Sequence, residues 1–80
     1  MRVDKFLKVS RLVKRRPVAK QMADQGRVSV NGRPVKSSYD LKIGDELTLS
    51  LGNKTIKARV LELRDTTKKA EASQLYELID

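Results

Sequence analysis

The first segment of the chain repeats apolar residues at helical spacing. Positions i, i+3, i+4 and i+7 of one helix face are filled by Val3, Phe6, Leu7, Ser10 and Val13. The opposite half of the helical wheel carries cations, namely Arg2, Lys5, Lys8, Arg11, Arg15 and Arg16. Lys14 would fall beside the apolar face, so the pattern predicts a helix that ends before it.

A second helix is predicted from Pro17, because proline is favoured at the first helical position. Its expected buried face is Val18, Ala19, Met22 and Ala23. Gly26 is expected to end it in the left-handed conformation. Arg16 then stands at the cap position, where Ser or Asp would be usual.

After Gly26 the apolar period changes from helical to alternating, which is typical of strands. Val28 and Val30 precede Asn31-Gly32, a strong hairpin signal, and Pro34 limits the returning strand to a sheet edge. Two further strands alternate at Leu47, Leu49 and Leu51 and at Ile56, Ala58 and Val60, with Gly52-Asn53 between them. A change of phase at Leu61 and Leu63 indicates a bulge or a strand end.

The C-terminal residues return to helical spacing. Asp65-Thr66-Thr67 is a cap signal, and Ala72, Leu75, Tyr76 and Ile79 form one stripe. The sequence thus predicts a single α+β domain over residues 1–80. Two N-terminal helices would pack on a small, mostly antiparallel sheet, and a C-terminal helix at about 67–79 would cover its open face.

Charge separates the chain into two unequal halves. The net charge is +8. Residues 1–36 hold eleven basic and two acidic side chains, whereas residues 37–80 hold seven basic and eight acidic ones. An even spread would indicate only a solvated surface, but this asymmetry favours an anion-binding face on the helix pair. We expect a phosphate site at its centre, beside Arg15 and Arg16 at the helix junction.

Composition excludes several kinds of chemistry. The chain has no Cys and no His, so thiol nucleophiles, imidazole acid–base catalysis and zinc sites built on these residues are absent. The one adjacent acid pair, Asp45-Glu46, lies at a strand entrance. We therefore predict a protein that is not an enzyme and needs no cofactor or metal. No apolar stretch approaches membrane-span length, and we expect no membrane partner.

The scarcity of aromatic residues limits the classes of polyanion that the protein is expected to bind. Phe6, Tyr39 and Tyr76 are the only aromatics, and Phe6 and Tyr76 fall on predicted core stripes. Modules that splay single-stranded bases need aromatic platforms. The expected ligand is therefore the backbone of a structured nucleic acid. A DNA-reading helix-turn-helix is disfavoured because its second helix would start with Pro17-Val18-Ala19 instead of residues that read base edges.

Four segments together resemble the S4 RNA-binding domain family, also called the αL motif: RVDKFL, RRPVA, GRVSVNGRPVK and DLKIGDEL. The resemblance covers about residues 2–51. It implies an RNA-binding helix pair with adjoining loops. The family's RNA-contacting positions fall on Arg2, Lys5, Arg15, Arg16 and Lys20, with Asn31 and Lys36 near the turn. Arg11 belongs to the same predicted face. The family often has Ser-Arg before its second helix, and Arg15-Arg16 stands there in this chain.

A bacterial branch of the family that acts in ribosome-associated quality control is resembled by four segments: KVSRLVKRR, ADQGRVSVNG, GDELT and LRDTTKKAEAS. That resemblance implies a cytoplasmic factor, monomeric when free, on the obstructed large (50S) ribosomal subunit. Its partners would be 23S rRNA, peptidyl-tRNA and RqcH, which adds C-terminal alanine tails. Two alternatives stay open. One is a 50S-recycling factor of the heat-shock type, and the other is a protein-interaction adaptor whose basic face is an RNA tether.

Overall fold

Two short helices begin the chain and pack against each other. In the computed structural model, which describes residues 1–79, α1 spans Val3–Val9 and α2 spans Arg16–Asp24. α1 ends well before Lys14, as predicted. Val13 lies beyond the helix but is still buried, because its amide donates to the Leu7 carbonyl over 3.0 Å and folds the connection back onto the core.

The second helix begins one residue earlier than predicted. Arg16 is its first residue and Arg15 is the N-cap, so the prediction that Arg16 takes the cap position is wrong. Proline fits the second position equally well, since the first amides of a helix have no partner within it. Val18 was expected on the buried face but is 43% exposed, because α2 turns only Ala19, Met22 and Ala23 toward α1 and the sheet.

Gly26 ends α2 as predicted. Its φ is +76°, its amide donates to the Ala23 carbonyl, and the Arg27 amide donates to the Met22 carbonyl over 2.9 Å. These two bonds form the Schellman motif, in which a residue without a side chain adopts the left-handed conformation at least cost.

Five strands form one antiparallel sheet in the order β2-β1-β3-β4-β5. Their bounds are β1 Val28–Val30, β2 Arg33–Pro34, β3 Glu46–Leu51, β4 Lys54–Val60 and β5 Tyr76–Leu78. Asn31 and Gly32 have φ of +52° and +84°, which are the values of a type I′ hairpin turn. Pro34 lies on the edge strand, and β4 ends at Val60, so the predicted edge position and strand end are both confirmed.

The prediction of a C-terminal helix at about 67–79 is largely wrong. A 3₁₀ helix spans Lys69–Gln74, and Tyr76–Leu78 is a strand paired with β4. Ala72 and Leu75 are buried, as the stripe predicted, because residues three apart share one side of a 3₁₀ helix. After the 3₁₀ helix the chain becomes a strand that pairs with β4, because the backbone groups along that edge of β4 need hydrogen-bond partners. The Asp65–Thr67 cap signal is also wrong, since Lys68 is the N-cap of the 3₁₀ helix.

The core lies between the helix pair and one face of the sheet. Its largest fully buried side chains are Phe6, Leu7, Leu41, Leu47, Leu49 and Leu75. Phe6 is therefore a core residue, as predicted, and Tyr76 packs against the same cluster. Within residues 1–79, no helix is both long enough and apolar enough to cross a bilayer.

Candidate nucleic-acid interface

Arginines stand at the start of both helices. Arg2 is the N-cap of α1, and Arg15 is the N-cap of α2, with Arg16 directly after it. A positive charge at a helix N-terminus opposes the helix dipole and does not stabilise the helix. These arginines also make no capping hydrogen bond from their side chains. Local helix stability therefore does not account for them.

Backbone amides of α1 are already bonded within the protein. The Val3 amide donates to the Tyr39 carbonyl over 2.9 Å, and the Asp4 amide donates to the Ser37 carbonyl over 3.2 Å. The Lys5 amide donates to Oδ1 of Asp4 over 2.8 Å. An anion at this end of α1 would consequently be held by side chains and not by the backbone.

Asp4 joins the two arginines. It is 3% exposed, and its carboxylate accepts from Nε and Nη2 of Arg2, each over 3.2 Å. Nη2 of Arg16 lies 3.4 Å from its Oδ1. Burial alone raises the pKa of Asp4, but the hydrogen bonds from Arg2, Arg16 and the Lys5 amide outweigh burial and leave that pKa below its usual value. Asp4 is thus a carboxylate at neutral pH.

Both guanidinium groups remain available to solvent on their other side. The side chains of Arg2 and Arg16 are 50% and 46% exposed. Asp4 accepts from Nε and Nη2 of Arg2 and makes one contact with Nη2 of Arg16, so the other N–H groups of both guanidinium groups have no bond to Asp4. A guanidinium whose orientation is already fixed loses less conformational entropy when it binds a phosphate. We call Arg2, Asp4 and Arg16 the arginine clasp.

A groove of about 360 Å³ adjoins the clasp. Four cations line it: Lys5, Lys8, Arg11 and Arg16. Its opposite wall is the segment 65–67, which is attached to α1 because the Thr67 hydroxyl donates to the Val9 carbonyl over 2.7 Å. We call this the basic groove. Its four cations are of the kind that contact the phosphates of a nucleic-acid backbone.

Arg11 holds an unusual backbone conformation beside the groove. Its φ is +63°, at the position after the C-cap of α1 where α2 has Gly26. A residue with a Cβ costs about 1–2 kcal/mol in the left-handed region. Strain of this kind is found preferentially at functional sites, and here it accompanies a cation at the mouth of the groove.

The other predicted contact residues are dispersed around the clasp and groove. Arg15 and Lys20 are exposed. Lys20 lies one turn after Arg16 on α2, in a shallow depression with Pro17 and Asp24 and outside the basic groove. The structure therefore brings Arg2, Lys5, Arg11 and Arg16 together, and leaves Arg15 and Lys20 on the flank of that surface.

Asn31 and Lys36 line a different depression from the basic groove. Lys36 lines an open depression of about 750 Å³ along the edge strand, with Arg33 and Tyr39. Both polar atoms of the Asn31 side chain already have partners within the protein. Its Nδ2 donates to Asp45 over 3.2 Å, and its Oδ1 accepts from the Glu46 amide over 3.0 Å. Asp45 itself accepts from the Lys42 amide over 3.0 Å, which gives that acid a structural partner.

Sequence reasoning missed three parts of this surface. Asp4 is the only acid among the first sixteen residues, which was the signal available for it. Lys8 lay on the basic half of the helical wheel, and only the groove distinguishes it from a solvated lysine. Thr67 carried only a cap signal, which did not indicate its bond to Val9, because that partner is 58 residues away. Residues 1–79 contain no group of three acids that could hold a metal ion.

Comparison with known proteins agrees with this architecture. The family model described as "S4 domain" matches residues 1–47. The chain is 58% identical over 79 residues to the "RQC P-site tRNA stabilizing factor" of Bacillus subtilis, an alignment that covers 99% of this chain and 92% of that protein. The protein of the same name from Streptococcus pneumoniae is 54% identical over 79 residues and is covered to 90%.

A solved structure agrees along nearly the whole chain. Heat shock protein 15 of Vibrio cholerae, solved as a trimer, superimposes with a TM-score of 0.92 at 32% identity, over 99% of this chain and 81% of that one. The chain therefore belongs to the S4 domain family, in the group that contains the RQC P-site tRNA stabilizing factors.

Proposed function

We propose that this protein is a non-catalytic RNA-binding factor of bacterial ribosome-associated quality control. It binds the obstructed 50S subunit and holds peptidyl-tRNA against 23S rRNA. In the cytoplasm it supports RqcH while that factor adds alanine tails to stalled chains. Support comes from the name of the relatives, which states that those proteins stabilise P-site tRNA.

The arginine clasp is the observation that carries the RNA-binding part of this proposal. Two half-exposed guanidinium groups bond to one buried carboxylate, and one of them, that of Arg16, is among the four cations that line the adjoining groove. Such a site is suited to fixed phosphates of a folded RNA, since planar guanidinium groups form bidentate bonds with phosphate oxygens. Arg2 and Arg16 would hold phosphates at the clasp.

The surrounding cations have supporting roles in this proposal. Lys5 and Arg11 extend the contact along the basic groove, and Arg15 and Lys20 add long-range attraction from the flank. Lys36, on the separate edge-strand surface, would contact a second stretch of RNA, with Asn31 fixing the turn beside it. The monomer is the binding unit, because the clasp and the groove are complete within one chain.

A second candidate function is that of a 50S-recycling factor of the heat-shock type. The likeness to heat shock protein 15 favours it, as does 33% identity over 75 residues to the "Heat shock protein 15 homolog" of Haemophilus influenzae. The presence of alanine tails on stalled chains distinguishes the two functions. Loss of the protein should abolish alanine tails on stalled chains if it supports RqcH, and should leave them intact if it only recycles subunits.

The adaptor alternative needs a different test from simple truncation. Leu75 is fully buried, and the Leu61 amide donates to its carbonyl over 2.8 Å. Removing the chain after Leu63 would therefore damage the core. Surface substitution at Leu78, which is 68% exposed on the edge strand, is the cleaner probe. Loss of cooperation with RqcH at unchanged RNA affinity would favour the adaptor.

Co-sedimentation with isolated 50S subunits that carry peptidyl-tRNA tests the RNA-binding proposal. Arg16→Ala should weaken binding by about 1–3 kcal/mol, the scale of a charged hydrogen bond, and the logarithm of affinity should fall linearly with the logarithm of salt concentration. Lys57→Ala is the matched control, since it removes one exposed cation from β4. Equal binding by the two variants would refute the role of the clasp, and a flat salt response would refute phosphate recognition.

A further inference from the structure

The basic groove contains one acidic residue among the side chains that line it. Asp65 lies on the wall formed by residues 65–67, and its Oδ1 is 3.0 Å from Nζ of Lys5. Asp65 is 88% exposed, whereas Lys5 is only 36% exposed. The acid therefore lies at the open side of the groove and bonds to a cation that forms part of its floor.

The position of Asp65 does not depend on its bond to Lys5. Thr67, two residues later, donates to the Val9 carbonyl over 2.7 Å and fixes the segment against α1. On the other side, Arg64 bonds to Glu62 and Glu71 over 2.6 and 3.0 Å. The neighbouring residues thus have partners of their own, and they hold Asp65 at the groove.

A carboxylate oxygen and a phosphate oxygen are alternative acceptors for the same ammonium group. Both are anionic, and both accept charge-assisted hydrogen bonds at about 2.7–2.9 Å. Asp65 contacts one of the four groove cations, whereas a phosphate chain would contact several of them together. An exposed ion pair is also weak, because water and salt screen it. A bound nucleic acid would therefore displace the carboxylate readily.

We propose that Asp65 is an intramolecular competitor for the basic groove, occupying the phosphate position at Lys5 until an RNA backbone displaces it. The inference rests on the proposed function, since it takes RNA as the ligand of the groove. Its consequence is selectivity. A single free phosphate gains little from displacing Asp65, whereas an extended backbone that engages Lys8, Arg11 and Arg16 at the same time gains enough to overcome the competition.

Replacing Asp65 tests this proposal against a closely matched control. Asp65→Asn removes one acid and releases Lys5. Glu77→Gln also removes one acid that is paired with a cation: Glu77 lies 2.6 Å from Arg59 on strands β4 and β5, and Arg59 keeps its second partner, Glu46, at 3.4 Å. Affinity for isolated 50S subunits should rise about two- to fivefold in Asp65→Asn at about 0.1 M salt. Glu77→Gln should change it by less than about 1.5-fold, because its charge is not at the groove.

A double substitution identifies Lys5 as the competed cation. In a Lys5→Gln background, Asp65→Asn should raise the affinity for 50S subunits by no more than Glu77→Gln does. The gain in the single variant should also shrink as salt rises, because salt already weakens the ion pair. Asp65→Ser serves as a second variant, and circular dichroism at each step checks that the fold is intact.

The outcomes separate the two proposals. Wild-type protein that does not bind 50S subunits would refute both. Wild-type binding with equal effects of Asp65→Asn and Glu77→Gln would refute only the competitor. A gain that persists without Lys5 would also refute the competitor, since the effect would then be one of general charge.

Discussion

Asp4→Asn is the perturbation that most directly tests the arginine clasp. The substitution keeps the size and shape of the side chain but removes its negative charge. The carboxylate accepts two hydrogen bonds from Arg2, one from the Lys5 amide and one longer contact from Arg16. The side-chain oxygen of asparagine can still accept the hydrogen bond from the Lys5 amide. Its NH2 group, however, would face a guanidinium, and both of these groups are donors only.

The expected loss of stability in Asp4→Asn follows from these contacts. A hydrogen bond to a charged group contributes about 1.5–3 kcal/mol. Because both arginines are half exposed and water can replace Asp4, the pairs contribute nearer about 1 kcal/mol each. We expect Asp4→Asn to lower the free energy of unfolding at pH 7 by about 1–2 kcal/mol, a large fraction of the 5–10 kcal/mol or so typical of a domain of this size.

The pH dependence has a definite sign. The pKa of Asp4 is lower in the folded protein than its usual value. A lowered pKa stabilises the fold at a pH above the unfolded pKa of about 4, and that contribution disappears as the pH falls through the folded pKa. The difference between wild type and Asp4→Asn should therefore be constant from pH 7 to pH 5 and should close below about pH 4.

Urea unfolding followed by far-ultraviolet circular dichroism measures this difference at each pH. Asp40→Asn is the control. The hydrogen bond from the N-terminal ammonium group lowers the pKa of Asp40 as well, but its side chain is 71% exposed, so its removal should cost less than the removal of Asp4. If Asp4→Asn matched the wild type at pH 7, or if the gap persisted unchanged at pH 3, the reasoning would be refuted.

Three further substitutions test separate parts of the structure. Arg11→Gly removes a groove cation and relieves a left-handed φ of +63°, so thermal unfolding should show equal or higher stability while titration with 50S subunits shows weaker binding; lower stability would contradict the strain. Gly32→Ala, at a φ of +84°, should cost about 1–2 kcal/mol in urea unfolding, and an unchanged midpoint would argue against the I′ turn. Leu75→Ala should cost about 2–5 kcal/mol, because Leu75 is fully buried; a cost below about 1 kcal/mol would mean that the 3₁₀ segment does not belong to the core.

Local patterns predicted the parts of the fold that are determined locally. The stripe of Val3, Phe6 and Leu7 indicated α1, because residues at i, i+3 and i+4 share a helix face whatever they pack against. Asn31-Gly32 indicated the hairpin, because few other residue pairs adopt two consecutive positive φ angles. The helical wheel correctly placed Lys5 and Lys8 on α1, whereas Arg11 and Arg16 lie beyond the end of α1 at Val9 and reach the same groove from the connection and from α2.

Features that depend on distant parts of the chain were not predictable in this way. Ala72, Leu75, Tyr76 and Ile79 fit a helical stripe, but pairing with the edge of β4 makes Tyr76–Leu78 a strand. The exact start of α2 also escaped prediction, since Arg15 and Arg16 are both poor cap residues. The role of Asp4 as the link between two arginines requires the helices to pack first, and no spacing rule relates positions 2, 4 and 16.

The division of charge at residue 36 has a different meaning in three dimensions. The family match and most of the cations lie in residues 1–47, which suggests that the near-neutral remainder is passive. In the structure that remainder supplies one wall of the basic groove through Thr67, and it places Asp65 against Lys5. In the two proposals made above, the N-terminal residues supply the attraction for a polyanion, and the C-terminal residues limit which anions can use it. A surface with cations alone would attract any polyanion at low salt, whereas a groove with an acidic competitor favours a ligand that engages several cations at once.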